Sequence, residues 1–256
     1  IDPPYNTGGD GFTYNDGYAH SSWLTMIGGS LSLAWHMLSK DGFLFVSIDD
    51  HEVSRLIAAL DAFAGESQRV AIICQKSRES ISNDLIISAN HNFVVLYARD
   101  QKVAFANRAR FGLEPDLSGF ANPDNDPRGP WKAMPTDGPG GAAKGNPYFT
   151  FMGVTGYFRY SPETMQALYE AGELIIREKS ISRKYYLARA RERRRQVTTW
   201  WDDVGTTTDG TKLLQELFGT KLFSNPKPVG LVERVGKLAV DQPGGLMDYF
   251  AGSGTT

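Results

Sequence analysis

Six residues, FLFVSI at 43–48, do most to limit what this chain can fold into. The run is nearly all apolar and lies between the turn signal KDG at 40–42 and the acids Asp49 and Asp50. So short an apolar run reads as a strand covered on both faces, the mark of a sheet sandwiched between helices. Its flanks agree. Upstream, SSWLTMIGGSLSLAWHML places Trp23, Ile27, Leu31, Ala34, Trp35 and Leu38 on one helical stripe, with Ser21 or Ser22 as the expected cap. Downstream, HEVSRLIAALDAF repeats the pattern through Val53, Leu56, Ile57 and Leu60, and RVAIIC and NFVVLYA read as two more strands. The fold class is therefore α/β, and Ile1 finishes a strand that runs into a polar, glycine-rich loop over 2–20.

Past residue 103 the periodicity fades. ANPDNDPRGPWKAMPTDGPGGAAKGNPYF is dense in Pro, Gly, Asn and Asp and predicts turns, and Ser161-Pro162 opens a short helix. Residues 177–195 hold nine basic and two acidic side chains, a charge of +7 in a chain whose net charge is -2, so the remainder carries -9. Sheet-like texture returns late, with helices near 211–218 and over 228–240 and a strand GLMDYF leading into AGSGTT. The expected organisation is a sheet domain (1–102 and 209–256) interrupted by a basic lobe (103–208).

Composition excludes several classes. Charged residues make up 22% of the 256 and apolar residues 41%, as in ordinary globular chains. No apolar stretch reaches the length of a membrane span, and no signal peptide is visible. Cys74 is the only cysteine, so no internal disulfide or thiolate-rich metal site is expected, and His20, His36, His51 and His91 show no ligand spacing.

Two loops carry the chemistry. In DYFAGSGTT, Gly252 and Gly254 follow an apolar run, where small residues let the backbone approach a ligand and a helix starting near Thr255 would point N–H groups at it. A nucleotide or nucleoside-containing cofactor suits that turn; a plain strand-to-helix connection is the alternative. It is neither a P-loop, since no Gly-Lys-Ser/Thr follows, nor a complete dinucleotide fingerprint. In DPPY, Pro3 and Pro4 stiffen a turn and remove two donors, leaving the Pro3 carbonyl to accept, while Asp2 adds a carboxylate and Tyr5 a flat face. An exocyclic amine conjugated to a purine is a poor nucleophile because its lone pair belongs to the ring. Two acceptors gripping its hydrogens favour the tetrahedral nitrogen that can attack a methyl group, and the tyrosine could hold an extruded base by stacking. The alternative is a rigid turn with Asp2 as a local cap.

DPPY, FAGSGTT, DGFLFVSIDDHE, NPDNDPRGPW at 122–131 and NPKP at 225–228 together resemble the modification subunit of type III restriction–modification systems. More broadly, the chain is similar to amino-group DNA methyltransferases of the β arrangement, in which DPPY precedes the glycine motif. The resemblance implies a Rossmann-like methyltransferase sheet with circularly permuted motifs and an inserted DNA-recognition lobe, truncated at both ends. It implies methyl transfer from S-adenosylmethionine to adenine N6 in double-stranded DNA. Asp2 and Pro3 would then accept from the target amine within the stiff turn that Pro4 completes, and Tyr5 would stack on the flipped base. Phe250, Ala251, Gly252 and Gly254 would line the cofactor, with Asp248 beside it and Lys227 of NPKP on the cofactor side. Asp49 and Asp50 would shape the pocket or cap the surface. In the basic lobe, Arg183, Lys184, Arg189, Arg191, Arg193, Arg194 and Arg195 would contact phosphates, with Tyr185 and Tyr186 as stackable faces and Arg128 and Trp131 as further candidates.

A homodimer, an ATP-dependent restriction subunit as partner and a cytoplasmic bacterial or archaeal setting follow from the same resemblance. Cytosine-N4 methylation would share the geometry, although enzymes of that type more often carry Ser in place of Asp2. A noncatalytic DNA-binding subunit that keeps the fold is the other alternative. Cytosine-C5 chemistry lacks its Pro-Cys nucleophile, and a nucleotide-dependent oxidoreductase would explain neither DPPY nor the basic lobe.

Overall fold

The computed structural model describes residues 1–9, 14–83, 86–220, 223–239 and 244–256. Part of the opening loop (10–13) and residue 240, the expected end of the last helix, lie outside the described residues. The chain divides into two compact units, one formed by 1–113 with 195–256 and the other by 114–194.

In the first unit, α1 (His20–Met37), β1 (Phe43–Ile48), α2 (Val53–Ala64), β2 (Arg69–Lys76), β3 (His91–Ala98) and α3 (Gln101–Ala106) follow in sequence. β9 (Trp200–Trp201), α6 (Thr207–Phe218) and α7 (Val229–Ala239) complete it. The sheet order is β1-β3-β2-β9. β3 is antiparallel to both β1 and β2, so β1 and β2 run in one direction, and β9 joins parallel to β2. Beyond β1, Ile1 donates its nitrogen to the Phe45 carbonyl (2.7 Å) and accepts from the Ser47 N–H (2.9 Å), the slanted pattern of a parallel neighbour.

Both faces of β1 are covered, as its apolar run demands. Leu44, Val46 and Ile48 pack with Trp23, Ile27, Leu31 and Trp35 of α1 and Leu56 and Leu60 of α2. Phe45 faces the other way, into a cluster with Ile73, Val94, Trp201, Val204 and Leu231. Each fully buried chain of this kind is worth about 1.5–3 kcal/mol, which clamps the sheet from two sides. The predicted α1 stripe is the buried one, but neither Ser21 nor Ser22 caps it: the helix begins at His20 after Ala19, and no side chain caps it. α6 starts four residues earlier than predicted because Thr206 and Asp209 form a reciprocal capping box. Residues 244–250 form no strand. No described residue pairs with them, and a strand without a ladder has nowhere to place its backbone donors.

The second unit has its own fold. β4 (Trp131–Pro135), β8 (Ser180–Tyr186) and β7 (Leu174–Arg177) form an antiparallel sheet, and β5 (Tyr148–Phe151) pairs with β6 (Val154–Tyr157). α4 (Pro162–Glu170) starts at Pro162 behind the Ser161 cap, as predicted, and α5 (Leu187–Arg191) is brief. Phe151, Phe158, Met165 and Ile181 make its core. Its limits, 114 and 194, fall inside the expected 103 and 208, because α3 and β9 belong to the first unit.

Candidate active site

The 2–5 turn leaves the sheet where β1 ends. Ile1 runs parallel to β1, so the turn that follows it and the Asp49 that follows β1 emerge at one edge, joined there by Ser77 and Arg78 after β2. A cleft of about 810 Å³ opens at this carboxyl edge, lined by Asp2, Pro3, Pro4, Tyr5, Asp49 and Arg78 among others. A smaller cavity of about 80 Å³ adjoins it. The two share Asp2, Phe223, Lys227, Phe250, Ala251 and Gly252 as walls. The two ends of the chain therefore meet.

Buried carboxylates set the turn. Asn6 adopts a left-handed backbone (φ 63°), tolerable for asparagine, and its side chain exchanges hydrogen bonds with both backbone groups of Tyr18. Asn6 Nδ2 also donates to the fully buried Glu52 (2.6 Å), which accepts at the same oxygen from His20 Nδ1. Asp16, also buried, receives the Asn6 and Thr7 N–H groups at 2.8 and 3.0 Å. Trp23 Nε1 donates to the Pro4 carbonyl (2.7 Å), and Tyr5 shares a 2.6 Å hydrogen bond with Ser47 of β1. The Pro3 carbonyl accepts nothing from the described residues. It is thus left as an acceptor on a turn anchored through Pro4, the Tyr5 hydroxyl and Asn6.

Asp2 Oδ1 is shut away from solvent and forms no hydrogen bond, but Lys227 Nζ stands 2.8 Å from it as an ion-pair partner. The same ammonium lies 4.6 Å from the centre of the Tyr5 ring. Burial alone would push Lys227 towards its neutral form; the adjacent Asp2 and Tyr5 outweigh that, and the lysine is held above its ordinary value. Burial pushes the Tyr5 phenol up as well, against the pull of Lys227, so Tyr5 stays neutral.

The glycine turn is built for close approach. Gly252 (φ 53°) and Gly254 (φ 73°) are both left-handed, and a Cβ on Gly252 would come within 3.3 Å of the Phe223 ring. Asp248 accepts from the Phe250 N–H and from Thr256 Oγ1, which holds the turn without a helix starting at Thr255. Thr255 Oγ1 reaches back to the Lys227 carbonyl, 3.3 Å away. Phe223, Ser47, Glu52 and Trp23 carry no signal of a site in the sequence. Ser47 and Glu52 fall within DGFLFVSIDDHE, but their residue types there do not point to a role, and only their neighbours across the fold mark the four. Asp49 lines the cleft and also accepts from His51 N (3.0 Å), whereas Asp50 faces His91 at 4.0 Å.

In the second unit part of the basic run is compensated. Arg183 pairs with Glu173 (3.0 Å) and Lys184 with Asp124 (2.5 Å) and Asp126 (2.8 Å). Lys184 and Tyr186 are buried, with the Tyr186 hydroxyl donating to Asp126 at 2.9 Å, while Tyr185 packs near Phe120. Arg128 binds Asp126 and the carbonyls of Ala171 and Gly172, and Trp131 Nε1 donates to Asp124, so both serve local packing. The Arg128 guanidinium, with Lys184, holds the Asp126 carboxyl far below the usual range. Arg194 pairs with Glu114, and Arg189 lies 3.8 Å from Glu173. Arg191 and Arg193 are exposed and make no ion pair with any described residue; Arg195, also exposed, belongs to the first unit.

Among the described residues, no helix is long and apolar enough to cross a membrane, and no cluster of His, Cys, Asp and Glu could hold a metal ion. The StyLTI Mod subunit of a type III restriction–modification enzyme from Salmonella typhimurium is 29% identical to this chain, covering 100% of it and 45% of the relative. The EcoPI Mod subunit from Escherichia phage P1 is 26% identical, covering 100% of this chain and 50% of its own. The type II methyltransferase M.KpnI from Klebsiella pneumoniae is 26% identical, with 100% and 69% covered. The chain thus spans about half the length of these type III relatives. Residues 1–256 match the DNA methylase family N6_N4_Mtase from end to end, and the chain belongs to that family.

Proposed function

We propose that the protein containing this chain methylates adenine N6 in double-stranded DNA, as the modification subunit of a type III restriction–modification system. The observation that carries it is the convergence of the Asp2 carboxylate, the free Pro3 carbonyl and the Tyr5 ring on one cleft that shares walls with the glycine turn. S-adenosylmethionine would supply an electrophilic methyl group. The chain fits such a donor: Gly252 has no side chain where a Cβ would crowd Phe223, apolar Leu231 and Val235 line the cavity, and Lys227 offers a cation to a carboxylate. Asp2 and Pro3 would hold the two amine hydrogens and so turn the nitrogen lone pair towards the methyl group. Tyr5 would stack on the flipped base, and Asp2 would balance the positive charge that grows on the nitrogen.

The finer parts of this reading are a permuted methyltransferase sheet and a recognition lobe at 114–194. Arg191 and Arg193, with the loosely paired Arg189, with Arg194, whose partner Glu114 is itself exposed, and with Arg195, would meet phosphates; Arg183 and Lys184 serve the lobe's own structure. A homodimer and an ATP-dependent restriction subunit are the partners that fit, in a bacterial or archaeal cytoplasm. The test is transfer of labelled methyl from S-adenosylmethionine to DNA by the full-length protein, with the product nucleoside identified. N6-methyladenine is expected, and Asp2→Ala should lower kcat by about 10²–10³-fold. N4-methylcytosine, or an unchanged rate in that variant, overturns the reading.

A further inference from the structure

We propose that Lys227 is one cation shared by two anions: Asp2 holds it in the free protein, and the carboxylate of the methyl donor takes it when the donor binds. This deepens the proposed methyltransferase site and rests on that reading.

Three observations lead there. Lys227 is largely buried and stands 2.8 Å from Asp2, so in this state it neutralises the carboxylate that would grip the target amine. Its ammonium lies over the Tyr5 ring, 4.6 Å from the centre, and so covers one of its two faces. It also lines both the cleft and the smaller cavity beside the glycine turn, so a short swing of a flexible four-carbon stem would carry the charge from one to the other.

The electrostatics of the reaction make the handover necessary. Methyl transfer to an amine builds positive charge on nitrogen, and an ammonium paired with Asp2 would oppose that charge at close range. A donor carboxylate in the smaller cavity removes the obstacle by giving Lys227 another partner. Binding of the donor would thereby uncover Asp2 and Tyr5 for the base, and the two sites would be coupled through one side chain.

The coupling predicts a gain of affinity from damage to the catalytic turn. If Asp2 and the donor compete for Lys227, the isosteric Asp2→Asn should bind S-adenosylhomocysteine, which keeps the carboxylate, roughly fivefold or more tightly than wild type. In a Lys227→Gln background the same Asp2→Asn change should give no gain. Titration calorimetry on full-length wild type, both single variants and the double variant closes the cycle, with Asp2→Ser replacing Asp2→Asn should the latter not fold. No gain in Asp2→Asn, or an equal gain with and without Lys227, overturns the handover while leaving the donor site standing. Failure of both wild type and Asp2→Asn to bind S-adenosylhomocysteine would remove the donor site itself, and the proposal with it.

Discussion

Tyr5 shows how one side chain can serve stability and chemistry through different atoms. Its hydroxyl is spent on Ser47 of β1, 2.6 Å away, while its ring is the surface offered to a base. The two roles separate by substitution. Tyr5→Phe removes one part-buried hydrogen bond and should cost about 1 kcal/mol of stability, with methyl transfer kept within a few-fold. Tyr5→Ala also removes the stacking face, worth about 1–3 kcal/mol per base, so the Michaelis constant for DNA should rise about 5- to 150-fold. Thermal melts and steady-state methylation of the two variants measure these outcomes. Equal kinetic losses in both would mean that the hydroxyl, not the ring, does the work. The chemistry of Asp2, Pro3 and Tyr5 could be read from residue types alone. That Lys227 would lie against two of them could not, because 222 positions separate Lys227 from Tyr5 and nothing local to NPKP points at the turn.

Among the elements, the segment 225–228 is held by close glycine contacts as well as by hydrogen bonds to the Lys227 and Pro228 carbonyls. A Cβ on Gly210 of α6 would stand 2.7 Å from the Pro226 carbonyl and 3.0 Å from that of Lys227, and one on Gly205 would meet Pro228 at 3.1 Å. On the far side, a Cβ on Gly230 of α7 would sit 2.6 Å from the Val204 carbonyl. Backbone cannot yield as a flexible side chain can, so Gly210→Ala must move the segment that carries Lys227. The expected results are about 1–3 kcal/mol of overpacking strain and a methylation rate lowered by more than the stability loss explains. An unchanged rate in a folded Gly210→Ala protein would show that the segment tolerates displacement. These close approaches are invisible to periodicity, which reports only which face is apolar. α1 and β1 were legible because their apolar stripes face a continuous core. GLMDYF has the composition of a strand, but composition cannot supply a neighbour to pair with, and here the backbone turns under Asp248 instead.

For the whole molecule, charge counting and charge placement give different answers. The run 177–195 carries +7, yet its first half is threaded through β8, where Arg183 and Lys184 meet Glu173, Asp124 and Asp126. A net charge can be summed from sequence; which acids return to neutralise it depends on how the chain folds back. The unit boundaries follow the same logic. The short helix α3 and the two-residue strand β9 are too brief to show a period, so the sheet's claim on them emerges only from their pairing and packing. Besides the exposed Lys144, Arg177 and Lys179, what remains open to a polyanion in 114–194 is the stretch after β8, with Arg191 and Arg193. Replacing both by Ala should weaken DNA binding uniformly across sequences and flatten the dependence of log K on log salt by about 2, since each phosphate no longer neutralised removes about one unit of slope. S-adenosylhomocysteine affinity should not change, since both arginines lie outside the unit that holds the donor cavity. Fluorescence anisotropy over a salt series reads the slope, and calorimetry reads the cofactor. An unaltered slope would assign the two arginines to solvent and move the phosphate-binding role to Arg189, Arg194 and Arg195.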